Sequence, residues 1–145
     1  PDLIKVLTLA LQKSKSDFTI TEGLRSKETQ LKYYNSGASR TKDGSRHLAG
    51  ADGLGHAIDL IYASKTDPYN WDRLFEIADG IREASVELNI PIRWGGAWHY
   101  RFNDFPHKTA RELNAMYHQT QRETNKKPFI DGVHFELPNS PEYPQ

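Results

Sequence analysis

Cysteine is missing from this 145-residue chain, and neither charge sign prevails, because 19 Lys+Arg stand against 19 Asp+Glu. Without thiols there is no disulfide framework, no thiolate nucleophile and no cysteine-ligated zinc finger. Any metal must be held by histidine and carboxylate. Zero formal charge also removes the electrostatic case for general nucleic-acid binding, which needs a basic surplus to neutralise phosphates. Apolar runs fall short of the ~20 residues of a membrane-spanning helix. The first residues lack the basic-then-apolar pattern of a secretion signal. What is present is an apolar fraction of 37% with 11% aromatics, adequate for one globular core at this length. A single domain over 1–145, monomeric and with no membrane span, is the expectation.

Apolar spacing predicts a helix over Asp2 to Lys15, with Asp2 as its cap, and a half-buried strand over Asp17 to Glu22. Ser26 is placed to cap a second helix running to Tyr34. Ser36 to Gly55 is glycine-rich and reads as loop, before a short apolar strand over Ala57 to Ile61. Asn70 to Leu88 carries the longest helical stripe, Ile90 to Trp94 reads as a strand, and Gly95-Gly96 as a turn. Thr109 to Arg122 is helix-compatible and polar, part of an expected helical insertion over 107–127, and Val133 to Leu137 alternates like a strand. Helices and strands mix without a regular βαβ rhythm. That favours an α+β fold, a small antiparallel sheet flanked by helices.

Six histidines are available as ligands: His47, His56, His99, His107, His118 and His134. Asp59 lies inside an apolar strand, between Ile58 and Leu60, where an unpaired carboxylate is costly to desolvate. Spacing alone reads it equally as an edge-strand or salt-bridged acid. On the last strand, Val133, Phe135 and Leu137 share one face, so His134 and Glu136 occupy the other. Asp131 is off that register, but the Asp131-Gly132 turn lets it swing towards the same side. His47 sits in the loop. His56 stays as the alternative to it, ranked lower because its odd offset from Asp59 sends it to the opposite strand face. Asp104-Phe-Pro-His107 repeats the Asp-x-x-His spacing but does not run into an alternating strand. Two histidines and a carboxylate would leave a fourth metal position open, as a hydrolytic site requires.

Ser45-x-His47, Gly55-x-Ala57-x-Asp59-Leu60 and Asp131-x-x-His134-Phe-Glu-Leu137 together resemble the motifs of the D-Ala-D-Ala carboxypeptidase-like zinc peptidases. Within that group they look most like the L-alanyl-D-glutamate endopeptidases that serve as phage endolysins. Thr21-Glu-Gly-Leu-Arg25-Ser26 with Gln30, Trp94-Gly95-Gly96-Ala97-Trp98 and Pro128-Phe-Ile-Asp131-Gly agree, so the resemblance spans about Leu3 to Leu137. His47 and Asp59 are further apart than in that pattern, the surplus lying within Leu48 to Leu54.

The resemblance implies the Hedgehog/DD-peptidase-like fold and Zn2+ held by His47, Asp59 and His134. It further implies Asp131 as the proton-transferring base, with Arg25, Ser45 and Trp94 around the substrate. Trp98 and Tyr100 are further candidates for the cleft wall, and Trp94 reads alternatively as a core aromatic. The implied substrate is the bacterial peptidoglycan stem, most simply its L-Ala–D-Glu bond. The alternatives are a D-Ala-D-Ala carboxypeptidase and a zinc-binding recognition domain without catalysis. The expected setting is synthesis in the cytoplasm and action on the cell wall after release.

Overall fold

The computed structural model describes residues 1–39, 41 and 44–145. Residues 40, 42 and 43 of the expected loop lie outside them. Along the described residues the elements run α1 (Asp2–Lys13), β1 (Phe18–Glu22), α2 (Lys27–Asn35), β2 (Ala57–Tyr62), α3 (Trp71–Leu88) and β3 (Arg93–Trp94). A 3-10 turn (Phe102–Asp104), α4 (Ala110–Glu123) and β4 (His134–Glu136) complete the order. The strands pair antiparallel in the order β1-β2-β4-β3. The α+β expectation is met.

Local chemistry explains most boundaries. Ser26 caps α2 by accepting from Thr29 N, and Asn70 caps α3 by accepting from Arg73 N. Asn89 ends α3 in the left-handed region at φ 51, which asparagine tolerates. Thr109 and Glu112 form a reciprocal capping box on α4. Asp2 departs from expectation. It is the first helical residue rather than a cap, and its carboxylate accepts from Tyr143 Oη at 2.7 Å, tying the C-terminal segment to α1. The Ile90 to Trp94 strand shrinks to its last two residues. Pro91 has no N–H for a ladder, and Ile90 N bonds back to Ser85 O at the end of α3.

The core lies between α1, α3 and one face of the sheet. Leu3, Val6, Leu7 and Ala10 of α1 are buried with Ile77, Ala78, Ile81 and Ala84 of α3. A Cβ at Gly80 would come within 3.0 Å of Ser14, so the bare position lets the end of α1 close on α3. From the sheet, Ile58 and Leu60 of β2, Phe135 of β4 and Trp94 of β3 join this core. Strand alternation then places Asp59, His134, Glu136 and Arg93 on the opposite face, with Asp59 paired to His134 and Arg93 to Glu136 in register.

Candidate metal centre

Because Asp59 and His134 are cross-strand partners, their side chains emerge together from the face away from the helices. His47 joins them from the loop, and its backbone is fixed on two sides. Its carbonyl accepts from Arg25 N at 2.7 Å, while the Arg46 carbonyl accepts from His56 N at 2.9 Å. The Arg46 guanidinium is buried and donates to Leu137 O and Tyr143 O, clamping the loop to the C-terminal segment. The outcome is a triangle of donor atoms. His47 Nε2 lies 3.1 Å from Asp59 Oδ1 and 3.1 Å from His134 Nδ1, and the latter two are 3.2 Å apart.

The outer ring nitrogens decide what these atoms present. His47 Nδ1 is 2.9 Å from Gly23 O, and His134 Nε2 is 3.1 Å from Glu136 Oε2. A carbonyl and a carboxylate only accept, so both outer nitrogens carry the hydrogen and the inner ones turn lone pairs inward. Three electron-rich atoms facing one another need a cation between them. Ligands of one tetrahedral metal ion at ~2.0–2.1 Å stand about 3.3 Å apart, close to the spacing found. Among the described residues, His47, Asp59 and His134 form a group able to hold a metal ion.

With no metal, a proton takes the cation's part. Burial acts to lower the His134 pKa, but the Asp59 and Glu136 carboxylates outweigh it and raise it from 6.5 to about 9. Burial acts to raise Asp59, yet its hydrogen bonds to His134 and His47 hold it well below the usual carboxylate range. A folded-state value above the unfolded one gives stability that is complete below 6.5 and lost as pH rises through about 9. Metal-free protein should therefore show a falling Tm across that window, measured by thermal denaturation from about pH 6 to about pH 10. A flat Tm there contradicts the protonated His134–Asp59 pair.

Asp131 borders the same cleft, a cavity of about 440 Å³. Burial pushes its carboxyl upward, opposed by His134 and reinforced by Asp59. Its backbone is held by Asp131 N to Gly95 O at 2.9 Å and His134 N to Asp131 O at 3.1 Å. A Cβ on Gly95 would meet Asp131 O at 2.1 Å, so only glycine allows this approach. The turn reading of Asp131-Gly132 thus agrees with where the carboxylate stands.

Ser45 lines the cleft and its Oγ accepts from His47 N at 3.2 Å. Arg25 lines it too, but Glu22 takes its Nε and Nη2 at 2.6 and 2.8 Å, Gln30 takes Nη1 at 2.6 Å, and Tyr33 stacks on it. Trp94 requires a correction. It is fully buried, donates to Gly132 O at 2.8 Å and stacks on Phe135, so it belongs to the core and does not line the cleft. Trp98 stands in the wall instead, its ring 5.2 Å from that of His134. His56 turns away to Asp52 at 2.9 Å, a residue of the longer loop, and Asp104 and His107 are both exposed and outside the cleft.

Sequence reasoning assigned no role to Glu136 or Arg93. Glu136 is buried and links His134 to Arg93, with Oε2 on the imidazole and Oε1 on the guanidinium. Burial raises its pKa, but the contacts with His134 and Arg93 prevail and keep it lowered. Strand parity was the available signal, because Glu136 shares the face of His134, and Arg93 is one residue from inward-facing Trp94.

Comparison with known proteins gives consistent relatives. The family model described as phage L-alanyl-D-glutamate peptidase matches residues 1–138. The L-alanyl-D-glutamate peptidase of Escherichia phage T5 is 31% identical over 102 residues, covering 68% of this chain and 71% of that protein. Among solved structures, the Serratia marcescens L-Ala D-Glu endopeptidase ChiX superposes with a TM-score of 0.66 at 31% identity, covering 95% of this chain and 79% of that one.

Proposed function

Because the chain belongs to the phage L-alanyl-D-glutamate peptidase family, we propose that it is a zinc-dependent peptidoglycan hydrolase cutting between L-Ala and D-Glu in the stem peptide. The observation that carries the metal dependence is the convergence of His47 Nε2, Asp59 Oδ1 and His134 Nδ1 within 3.2 Å of one another. Two imidazoles and one carboxylate suit zinc and leave a fourth position for solvent or substrate. Zinc held there supplies Lewis acidity towards water and towards the scissile carbonyl.

The chain's own groups do the rest. Asp131 stands in the cleft beside the ligands without joining their triangle, so its carboxylate is available for proton transfer. It takes a proton from the attacking water and passes it to the leaving amine. The upward push on its pKa makes it a stronger base than a solvated aspartate. Ser45 and Trp98 border the space for the stem peptide, and Arg25 braces the loop that carries His47. The place of action is the bacterial cell wall. No helix among the described residues is long and apolar enough to cross a membrane.

Glu136 orients His134 from behind. Glu136→Gln should weaken zinc affinity about 10–100-fold, measured by competition with a chelating dye, and an unchanged affinity removes Glu136 from the site. The cleaved bond is read directly by mass spectrometry of digested, purified peptidoglycan. New N-terminal D-Glu is the expected product. Release of terminal D-Ala alone would make the enzyme a carboxypeptidase.

A further inference from the structure

Among the described residues, three arginines border the cleft, and their hydrogen bonding separates them. Arg46 is buried on backbone carbonyls. The Arg25 side chain is 7% exposed, and each of its three nitrogens already donates to Glu22 or Gln30. The Arg93 side chain is 39% exposed. Its Nε and Nη2 both reach a single oxygen, Glu136 Oε1, and Nη1 has no partner among the described residues. One face of the guanidinium rests on Trp98, 5.5 Å from the ring centre. The Nε edge of the planar fork is therefore occupied, while the Nη1–Nη2 edge remains for a carboxylate.

The position suits a carboxylate close to the scissile bond. Arg93 is linked through Glu136 to the ligand His134, and both Arg93 and His134 pack on Trp98. In the stem peptide, D-Glu continues the chain through its side-chain carboxyl, leaving its α-carboxylate free. That carboxylate is three bonds from the scissile carbonyl carbon, so it lies within roughly 4 Å of it. A cation that reads it must stand beside the metal ligands.

We propose that Arg93, rather than Arg25, recognises the free α-carboxylate of D-Glu and so determines specificity for an unamidated stem. The proposal rests on the function proposed above. Glu136 holds the guanidinium over the Trp98 ring, so the fork is oriented before substrate arrives and little side-chain freedom is lost on binding.

The test compares two synthetic stem peptides that differ only in D-Glu, one with the α-carboxylate free and one with it amidated. Values of kcat/KM are measured for the wild type, Arg93→Gln, Arg93→Lys and Arg25→Gln, each checked for zinc content and Tm. The wild type should prefer the free carboxylate by about tenfold to a hundredfold, the range of a charge-assisted hydrogen bond. Arg93→Gln should bring that ratio to near one, and Arg93→Lys, which keeps the charge without the fork, should restore part of it. A wild-type ratio retained in Arg93→Gln, or a ratio that collapses in Arg25→Gln instead, overturns the assignment. If the wild type cuts neither peptide, the proposed bond is wrong, and calorimetric binding of the same peptides to zinc-stripped protein then decides on Arg93. Preference for the free carboxylate that disappears in Arg93→Gln supports it, and equal binding by the two proteins refutes it.

Discussion

Asp131→Asn should lower cleavage of stem peptide by about 10²–10⁴-fold, the usual contribution of a positioned acid–base group, while the protein still binds one zinc ion. Asparagine keeps the size and most hydrogen bonding of the side chain but cannot accept the proton from water. The fold has no reason to change, because Asp131 is held by its backbone, through Gly95 O and His134 N. Zinc binding has no reason to change either, because the three converging atoms belong to other residues. Kinetics on a defined peptide, beside elemental analysis of the same sample, check both halves. Full activity in Asp131→Asn would mean that another group moves the proton.

His134→Ala should remove both activity and metal. Loss of Lewis-acid stabilisation costs several kcal/mol in the transition state, on the order of a 10³-fold or greater fall in rate. It also leaves Asp59 and Glu136 facing each other's field without the imidazole between them, so a lower Tm should accompany the loss. Chelation of the wild type gives a control without that structural damage. Activity should vanish with a strong chelator and return on adding zinc. If chelated, verifiably metal-free protein still cuts the peptide, hydrolysis does not depend on this centre.

Much of this centre was legible in strand parity. Asp59 between Ile58 and Leu60, and His134 between Val133 and Phe135, had to face away from an apolar layer, and the antiparallel register brings them face to face. The same rule placed Glu136 on the face of His134, but parity states which way a residue points and not whether it meets a ligand, and it was not carried to Arg93. His47 was different. A loop histidine has no periodicity to read, and its place depends on the Arg46 clamp and on Arg25 N bonding its carbonyl, contacts between residues far apart in the chain. Asp52 holding His56 likewise needed coordinates, because the loop brings that carboxylate round to an imidazole facing away from the cleft.

Contacts from elsewhere in the chain decide what composition and motif leave open. Trp94 and Trp98 flank the same Gly95-Gly96 turn, and composition cannot tell which indole enters the core. The strand partner decides it, since Trp94 pairs with Phe135 and follows it inward. Asp2 has the chemistry of a cap, but Tyr143 engages its carboxylate from the other end of the chain. Arg25 sits in a motif that implies substrate contact, while Glu22, three residues before it, already holds its fork.

Zinc titration of metal-stripped protein, followed by calorimetry and elemental analysis, tests the central arrangement most directly. One ion per chain should bind to the wild type and be lost in His47→Ala, Asp59→Ala and His134→Ala alike. Wild-type protein that takes up no stoichiometric metal, or single variants that keep it undiminished, would contradict the convergence of these three side chains on one ion.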